Sequence, residues 1–567
     1  MSALVLTRSG YAEPGTSLNF PTGKWRQLIR PEHRYQIAPC HHACPAGEDP
    51  QAYLAEVQAG HLYEAWKTIV EINPIPAITG RVCPHPCETV CNRGQYDEAV
   101  AIHAVERFLG DEAIKKDWAY PVEPVDPSAP EIAIVGAGPA GLSAAYHLVK
   151  RGYRATIFDD HPEAGGTLRT ALPPYRLPRS VLDAELERLL ALDGITFQPH
   201  TRLGRDMHLN QLQEQYMAVF LGLGAQRSME WSIDGVVPRD LHSGFDLLKE
   251  WVDIGTVPTP KSVAVIGAGN TAVDMARVMK RAGVPEVYII SHKPIPKPGI
   301  PVEDAMPAIP REVYEALEEG VIIHEYRGLR RLILRGERVV GVELVHMKKL
   351  MQPSGKLKRI AFEGTETVLN VEQVIPAVGQ VIDPTGIERL AGNNSHLKVD
   401  HWGQIEGQLG IYAGGDITTE GGTVTAAVGH GRRAALGIDY VLRAQALPEI
   451  AEVTPIPFEQ LNMHYYELGS CVQEPTLPVE QRTGDEEITT TLSAPLIAKE
   501  GQRCFSCGDC LACDNCWMLC PDSAVLKTKE LASDGSNYVF DYEYCKGCGL
   551  CANECPCGYI QMVDEAA

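Results

Sequence analysis

Across its 567 residues the chain lacks any run of eighteen apolar residues, so no helix of it is expected to span a bilayer. Residues 1–20 lack a basic start followed by an apolar core, so no secretory signal is expected. Cations are in the minority. Against 73 Asp and Glu stand 51 Lys and Arg, and the net charge of −22 would repel nucleic acids and anionic membranes. The cysteines are not scattered as a disulfide framework would have them. Of 17, five lie within 40–91 and eleven within 504–557, with Cys471 apart. In a long chain without an export signal, such spacing predicts metal or cluster ligation in a reducing, cytoplasmic compartment.

Two stretches carry glycine loops. In the first, an apolar strand at Ile132–Val135 runs into Gly136, Ala137, Gly138, Pro139, Ala140 and Gly141, and helical periodicity follows. The next strand ends at Asp159, the spacing at which a carboxylate meets a ribose hydroxyl. Strand, loop, helix and acid in register predict a dinucleotide site. The second stretch, Ser262–Ala272, repeats the pattern with Gly267, Gly269, Asn270 and Thr271, and Ala272 replaces the third glycine. Its following strand, Val287–Ile290, ends in Ser291, His292 and Lys293 without a carboxylate. A cation there favours the 2′-phosphate of NADP over NAD.

The front cysteines read Cys40-x3-Cys44, about forty residues of helical pattern, then Cys83-x3-Cys87-x3-Cys91, a layout suited to an Fe–S cluster. The tail reads Cys504, Cys507, Cys510, Cys513, Cys516 and Cys520, followed by Cys545, Cys548, Cys551 and Cys555. The second run has the bacterial ferredoxin spacing, in which three cysteines hold one [4Fe–4S] cluster and the fourth serves its partner. That spacing assigns Cys510, Cys513, Cys516 and Cys555 to one cluster, and Cys545, Cys548, Cys551 and Cys520 to the other. A rival set begins with Cys504, Cys507 and Cys510. Zinc is the competing metal at both ends.

With these motifs, Gly165–Arg169 (GGTLR) and two later blocks, residues 35–445 resemble the small subunit of glutamate synthase and the matching half of dihydropyrimidine dehydrogenase. The later blocks are Gln373–Gln380, containing Gly379, and Gly410–Asp416, followed by Thr423–Ala427. The resemblance implies FAD in the first site, with Gly166, Leu168, Arg169, Gly224, Gly415, Asp416, Thr423, Val424 and Ala426 added to its contacts. It also implies a nicotinamide domain inserted between two halves of the flavin domain. Relatives hold two front clusters, yet residues 32–39 lack the upstream cysteine pair that one of them needs. The expectation is therefore one front cluster on Cys44, Cys83 and Cys87, with Glu106 where relatives place a Gln or Glu ligand. Cys40 and Cys91 remain as half a site, and the whole chain is expected to hold three [4Fe–4S] clusters.

The expected fold is α/β. A helical Fe–S domain (1–125) precedes two interleaved Rossmann-like domains: the first flavin segment (131–255), the nicotinamide domain (256–375) and the second flavin segment (376–445). A strap (446–500) and a two-cluster ferredoxin domain (501–567) follow. Nicotinamide moves two electrons as a hydride, Fe–S clusters move one, and flavin does both, so electron transfer between NAD(P)H and one-electron carriers is the expected function. No catalytic acid, base or nucleophile is required, and His292, His103, His41 and His42 read as structural or solvent-facing. The expected partner is a large oxidoreductase subunit, including a 2-oxoacid oxidoreductase, or a ferredoxin, within a hetero-oligomer. The alternatives are a glutamate synthase small subunit and a non-catalytic relay. Residues 501–567 carry four Lys and Arg against ten Asp and Glu, a surface suited to a basic partner.

Overall fold

The structure is a computed structural model that describes residues 28–565, except 234–240, 353–354, 356, 393, 420, 451 and 533–534. Among the described residues no helix is long and apolar enough to cross a membrane.

The short apolar runs beside the glycine loops form buried parallel strands, as their lack of polar alternation requires. The first sheet has five parallel strands in the order Ile411–Ala413, Val219–Leu221, Glu131–Val135, Arg154–Phe158 and Ile195–Gln198. The earliest strand is central and the order reverses beside it, which opens a crevice at its carboxyl end. The second sheet has four parallel strands, Gln373–Pro376, Ser262–Ile266, Glu286–Ile290 and Ile322–His324. Between its last two strands in sequence the chain forms an antiparallel sheet of Arg327–Arg335, Arg338–Met351 and Leu357–Leu369. Because 219–221 and 411–413 are neighbours in one sheet, everything from 262 to 376 is an insertion into the flavin-type unit.

Helices Pro50–Gln58, Leu62–Val70, Pro76–Val82 and Ile102–Lys115 make the front module. Its core is continuous with that of the first sheet: Trp66 and Ile69 share one buried cluster with Ile132, Ile134 and Val428. Helix Val424–Leu442 lies between the two units. A side chain at its Gly429 would strike the Pro45 carbonyl, next to Cys44, and one at Gly431 would strike the Ala140 carbonyl. The glycines let front module, helix and nucleotide loop approach to backbone distance.

Residues 457–492 cross the front module in extended and short turn conformations. His103 Nε2 meets Glu474 at 2.8 Å, Arg81 donates to Glu487 at 2.7 Å, and the Thr491 hydroxyl donates to Asp111 at 2.6 Å. Helix Ala494–Gly501 then packs on Pro50–Gln58 and Ile102–Lys115. Glu500, fully buried, accepts from the amides of Ala101 (2.8 Å) and Val472 (2.9 Å) and pairs with Arg503. This buried network holds the chain through Cys504 against the front module. Farther along, Val525–Lys527 pairs with Tyr538–Phe540, and Ile560–Asp564 with Ile29–His33, both antiparallel.

Candidate redox site

The first glycine loop turns at Gly136, whose φ of +107° belongs to glycine, and a Cβ there would strike the Gly222 carbonyl. Asp159 accepts from the amides of Ala137 (2.6 Å) and His161 (2.8 Å), which fixes the loop against the second strand. Over the loop opens a cavity of about 1220 Å³. Gly136, Gly138, Pro139, Ala140, Asp159, Gly166, Leu168, Arg169, Gly224, Gly415, Asp416, Thr423 and Val424 all line it. Gly141 sits one turn inside the helix, and Ala426 donates its amide to Thr423 Oγ1 at 3.1 Å as part of the helix cap. The cradle of bare backbone suits a pyrophosphate, and the volume suits a dinucleotide.

Asn270 and Thr271 of the second loop line the same cavity. Gly267 and Ala272 lie behind them, where a Cβ on Gly267 would meet the Ala377 carbonyl and the Ala272 methyl. Gln380, just after Gly379, donates to Thr271 Oγ1 at 3.2 Å, tying the crossing segment to the second loop. His292 and Lys293 stand outside this cavity, at the end of Glu286–Ile290. Burial, then Arg359, Lys293 and Lys349, holds the His292 imidazole down at about 4, so it is neutral at pH 7. Lys349 and Arg359 come from the antiparallel sheet, about sixty residues downstream. Sequence reading missed them because no local motif joins them to Lys293.

Val82 and Pro84, which flank Cys83, also line the cavity. Thr425, in the first turn of helix Val424–Leu442, donates to Cys83 Sγ at 2.8 Å, and the His85 amide donates to it at 3.3 Å. Cys44, Cys83 and Cys87 are gathered here. Burial pushes Cys87 well up, and Glu88, Cys83 and Cys44 push it further. Glu106 Oε1 accepts from Asn73 at 3.0 Å and from Thr79, which holds the carboxyl beside Cys83. Burial and Glu48 hold Glu106 far above the usual carboxylate range, and burial raises Glu48 to about 7. Among these groups the buried Tyr53 hydroxyl has no hydrogen-bond partner. Three thiols and a carboxyl fit the four ligand positions of a cluster, and the unpartnered Tyr53 hydroxyl stands beside them.

In the tail, burial lifts Cys516 to about 12, with Cys510, Cys513 and Cys555 adding to it. Burial likewise lifts Cys551 to about 12, with Cys520, Cys545 and Cys548 adding to it. These are the two quartets that the ferredoxin spacing predicts. Cys504 and Cys507, with which the rival set begins, are placed elsewhere. The two stand beside Cys40 and Cys91 instead: burial raises Cys40 well above its ordinary value, followed by Cys504, Cys91 and Cys507. Cys40 and Cys91 are thus not an isolated half-site. Cys557 Sγ lies 3.7 Å from Cys555 Sγ.

His103 is half-buried between Glu88 (2.6 Å) and Glu474 (2.8 Å) and stacks on His85 at 4.6 Å. It is an ion-pairing residue between front module and strap.

Two nucleotide loops opening on one cavity, with a thiol group against its wall, define a flavin- and nicotinamide-dependent oxidoreductase. The chain belongs to the pyridine nucleotide-disulphide oxidoreductase family, whose profile matches residues 130–431, and residues 34–118 match the 4Fe–4S domain II of dihydropyrimidine dehydrogenase. The beta subunit of the NADP(+)-dependent formate dehydrogenase of Moorella thermoacetica is 36% identical over 72% of this chain and 60% of its own length. The beta subunit of the NADPH–Fe(3+) oxidoreductase of Geobacter sulfurreducens is 31% identical, over 84% of this chain and 76% of that one. The small chain of the NADPH glutamate synthase of Escherichia coli is 32% identical, over 70% and 87%. The chain thus spans little more than half of the formate dehydrogenase subunit.

Proposed function

We propose that this chain is the electron-transfer subunit of a larger oxidoreductase, moving electrons between NADPH and one-electron carriers through FAD and [4Fe–4S] clusters. The observation that carries this reading is the shared cavity: Gly136–Ala140 and Asn270–Thr271 line it together, and its wall includes the residues on either side of Cys83. Bound FAD supplies the change from hydride to single electrons. The chain's own residues do the rest. Gly136, Gly138 and Gly166 leave room for the pyrophosphate. Thr423 caps helix Val424–Leu442, whose positive end favours negative charge on a neighbouring ring. Thr425 holds the Cys83 sulfur toward the flavin side.

NADP is favoured over NAD because Lys293, Lys349 and Arg359 surround His292 and the strand itself ends without a carboxylate; Asp304, from the following loop, pairs with Lys349 at 2.8 Å and leaves Lys293 and Arg359 for a 2′-phosphate. Cys44, Cys83 and Cys87 with Glu106 are assigned to the flavin-side cluster, and the two tail quartets to a ferredoxin pair. Cys513 and Cys548 are exposed whereas Cys83 and Cys87 are buried, which supports electron exchange with the partner through the tail. The named relatives are beta or small subunits, which supports a hetero-oligomer here.

Anaerobic mixing of the full chain with NADPH tests this reading. Flavin absorbance at its long-wavelength band should bleach first, and electron-paramagnetic signals of reduced clusters should follow. A flavin that NADPH leaves oxidised would defeat the proposal in favour of a non-catalytic relay.

A further inference from the structure

Cys40 and Cys91 belong to the front module, and Cys504 and Cys507 come from the far end of the chain. The residues beside each pair are bonded across. Asn92 donates to Cys507 Sγ at 3.6 Å, Arg93 donates to the Arg503 carbonyl at 2.6 Å, and the Gln36 amide donates to the Gly508 carbonyl at 3.1 Å. Arg503 also donates to the Ala99 carbonyl and to Asp97. The front lacks an upstream cysteine pair, and the tail delivers a Cys-x2-Cys pair to the same place.

We propose that Cys40, Cys91, Cys504 and Cys507 together hold a [4Fe–4S] cluster, in a site that closes only when the two ends of the chain meet. The expected count then rises from three clusters to four. Four thiols are the standard ligand set of such a cluster, and amide donors to the sulfurs (Ser506 to Cys504 at 3.4 Å, Asn92 to Cys507) are characteristic of it. Zinc fits less well. Tetrahedral zinc at a Zn–S distance of ~2.3 Å would draw the sulfurs to within about 4 Å of one another. Among the described residues only His85, Glu88 and His103 bring three potential ligand atoms within 4.8 Å. The thiols of the four-cysteine group are spread more widely.

The site has neighbours on both sides. Cys40 adjoins the Cys44 group through Cys87, and Cys507 is three residues from Cys510 of the tail. It therefore bridges the flavin-side thiols to the ferredoxin pair, each transfer reducing the receiving cluster by one electron and oxidising the donor by one. That bridging role rests on the electron-transfer reading above; the metal content does not.

The test is iron and acid-labile sulfide in the full chain purified without oxygen, expressed per FAD. About sixteen irons are expected at four per cluster, and about twelve would overturn the proposal. C504S/C507S should lose about four irons, C40S/C91S the same four, and the fourfold variant still only four. An additive loss of about eight, no loss, or zinc in place of iron would overturn it. Should the variants fail to retain FAD, spin integration of the fully reduced native protein decides. About four spins per FAD support the site and about three refute it.

Discussion

The two cysteine-rich ends of this chain reach similar ligand sets by opposite routes. In the tail, each proposed quartet takes three thiols from one short run and borrows a fourth from the other run. In the front, Cys44 and Cys83 are joined by a helical pair, and Cys91 meets Cys504 across more than 400 residues of intervening chain. The tail thiols include exposed Cys513 and Cys548, whereas the front thiols lie against a core that continues into the flavin sheet. Local spacing thus reports a site whose ligands need only a turn to meet. A site built by tertiary packing leaves an incomplete local pattern, and the missing pair has to be sought elsewhere.

The front route is cut by removing the sulfur whose chain neighbours, Val82 and Pro84, line the cavity. Cys83→Ala should leave flavin reduction by NADPH measurable but slow tail-cluster reduction by about a thousandfold or more, followed by rapid mixing. Equal tail reduction would show that electrons bypass the front. A stop after Asp509 makes the reverse cut: it keeps Cys504 and Cys507 but removes both quartets. NADPH-to-dye activity should stay within about twofold, while transfer to the physiological partner is abolished.

Arg503→Met probes the junction between the two ends. It leaves the fully buried Glu500 and partly buried Asp97 short of a cation, so a loss of roughly 3–5 kcal/mol is expected from the denaturant midpoint. His103 supplies a pH dependence confined to the front. Against burial, Glu88 and Glu474 raise its folded pKa to about 9 from an ordinary 6.5. Its stabilisation is therefore complete below about pH 6.5 and lost as pH rises through about 9, a change on the order of 2–3 kcal/mol. His103→Gln should flatten the fall in Tm between pH 7 and 9; an unchanged slope would remove the residue from this role. A weaker effect concerns the coenzyme. Lys293→Ala should raise KM for NADPH more than for NADH, by roughly 1–3 kcal/mol, and Arg359→Ala should act in the same sense. Equal effects on both coenzymes would mean that neither reads the 2′ position.

Much of the candidate site was legible in sequence because it depends on short-range geometry. The loop at Gly136–Gly141 with Asp159, its copy at Gly267–Ala272, and the tail spacing each involve residues within one supersecondary unit. What was not legible was tertiary. Thr425 reaches Cys83 from 342 residues away, Lys349 and Arg359 arrive on a separate sheet, and Cys504 is held at the front by Arg93, Asp97 and Glu500. The assumption that a cysteine run belongs to one domain hid the last of these.

The strand pairing of Ile29–His33 with Ile560–Asp564 bears on how the protein is made. More than 400 residues separate Cys91 from Cys504. At about 5–20 residues per second on the ribosome, the front thiols wait roughly 20–80 s for their distant companions. During that interval the assembly machinery meets a half-furnished front beside a finished nucleotide fold. Cofactor loading therefore acquires an order in time: the flavin-side thiols are made first, the flavin pocket is completed next, and the outlying site closes last, when Cys504 and Cys507 arrive.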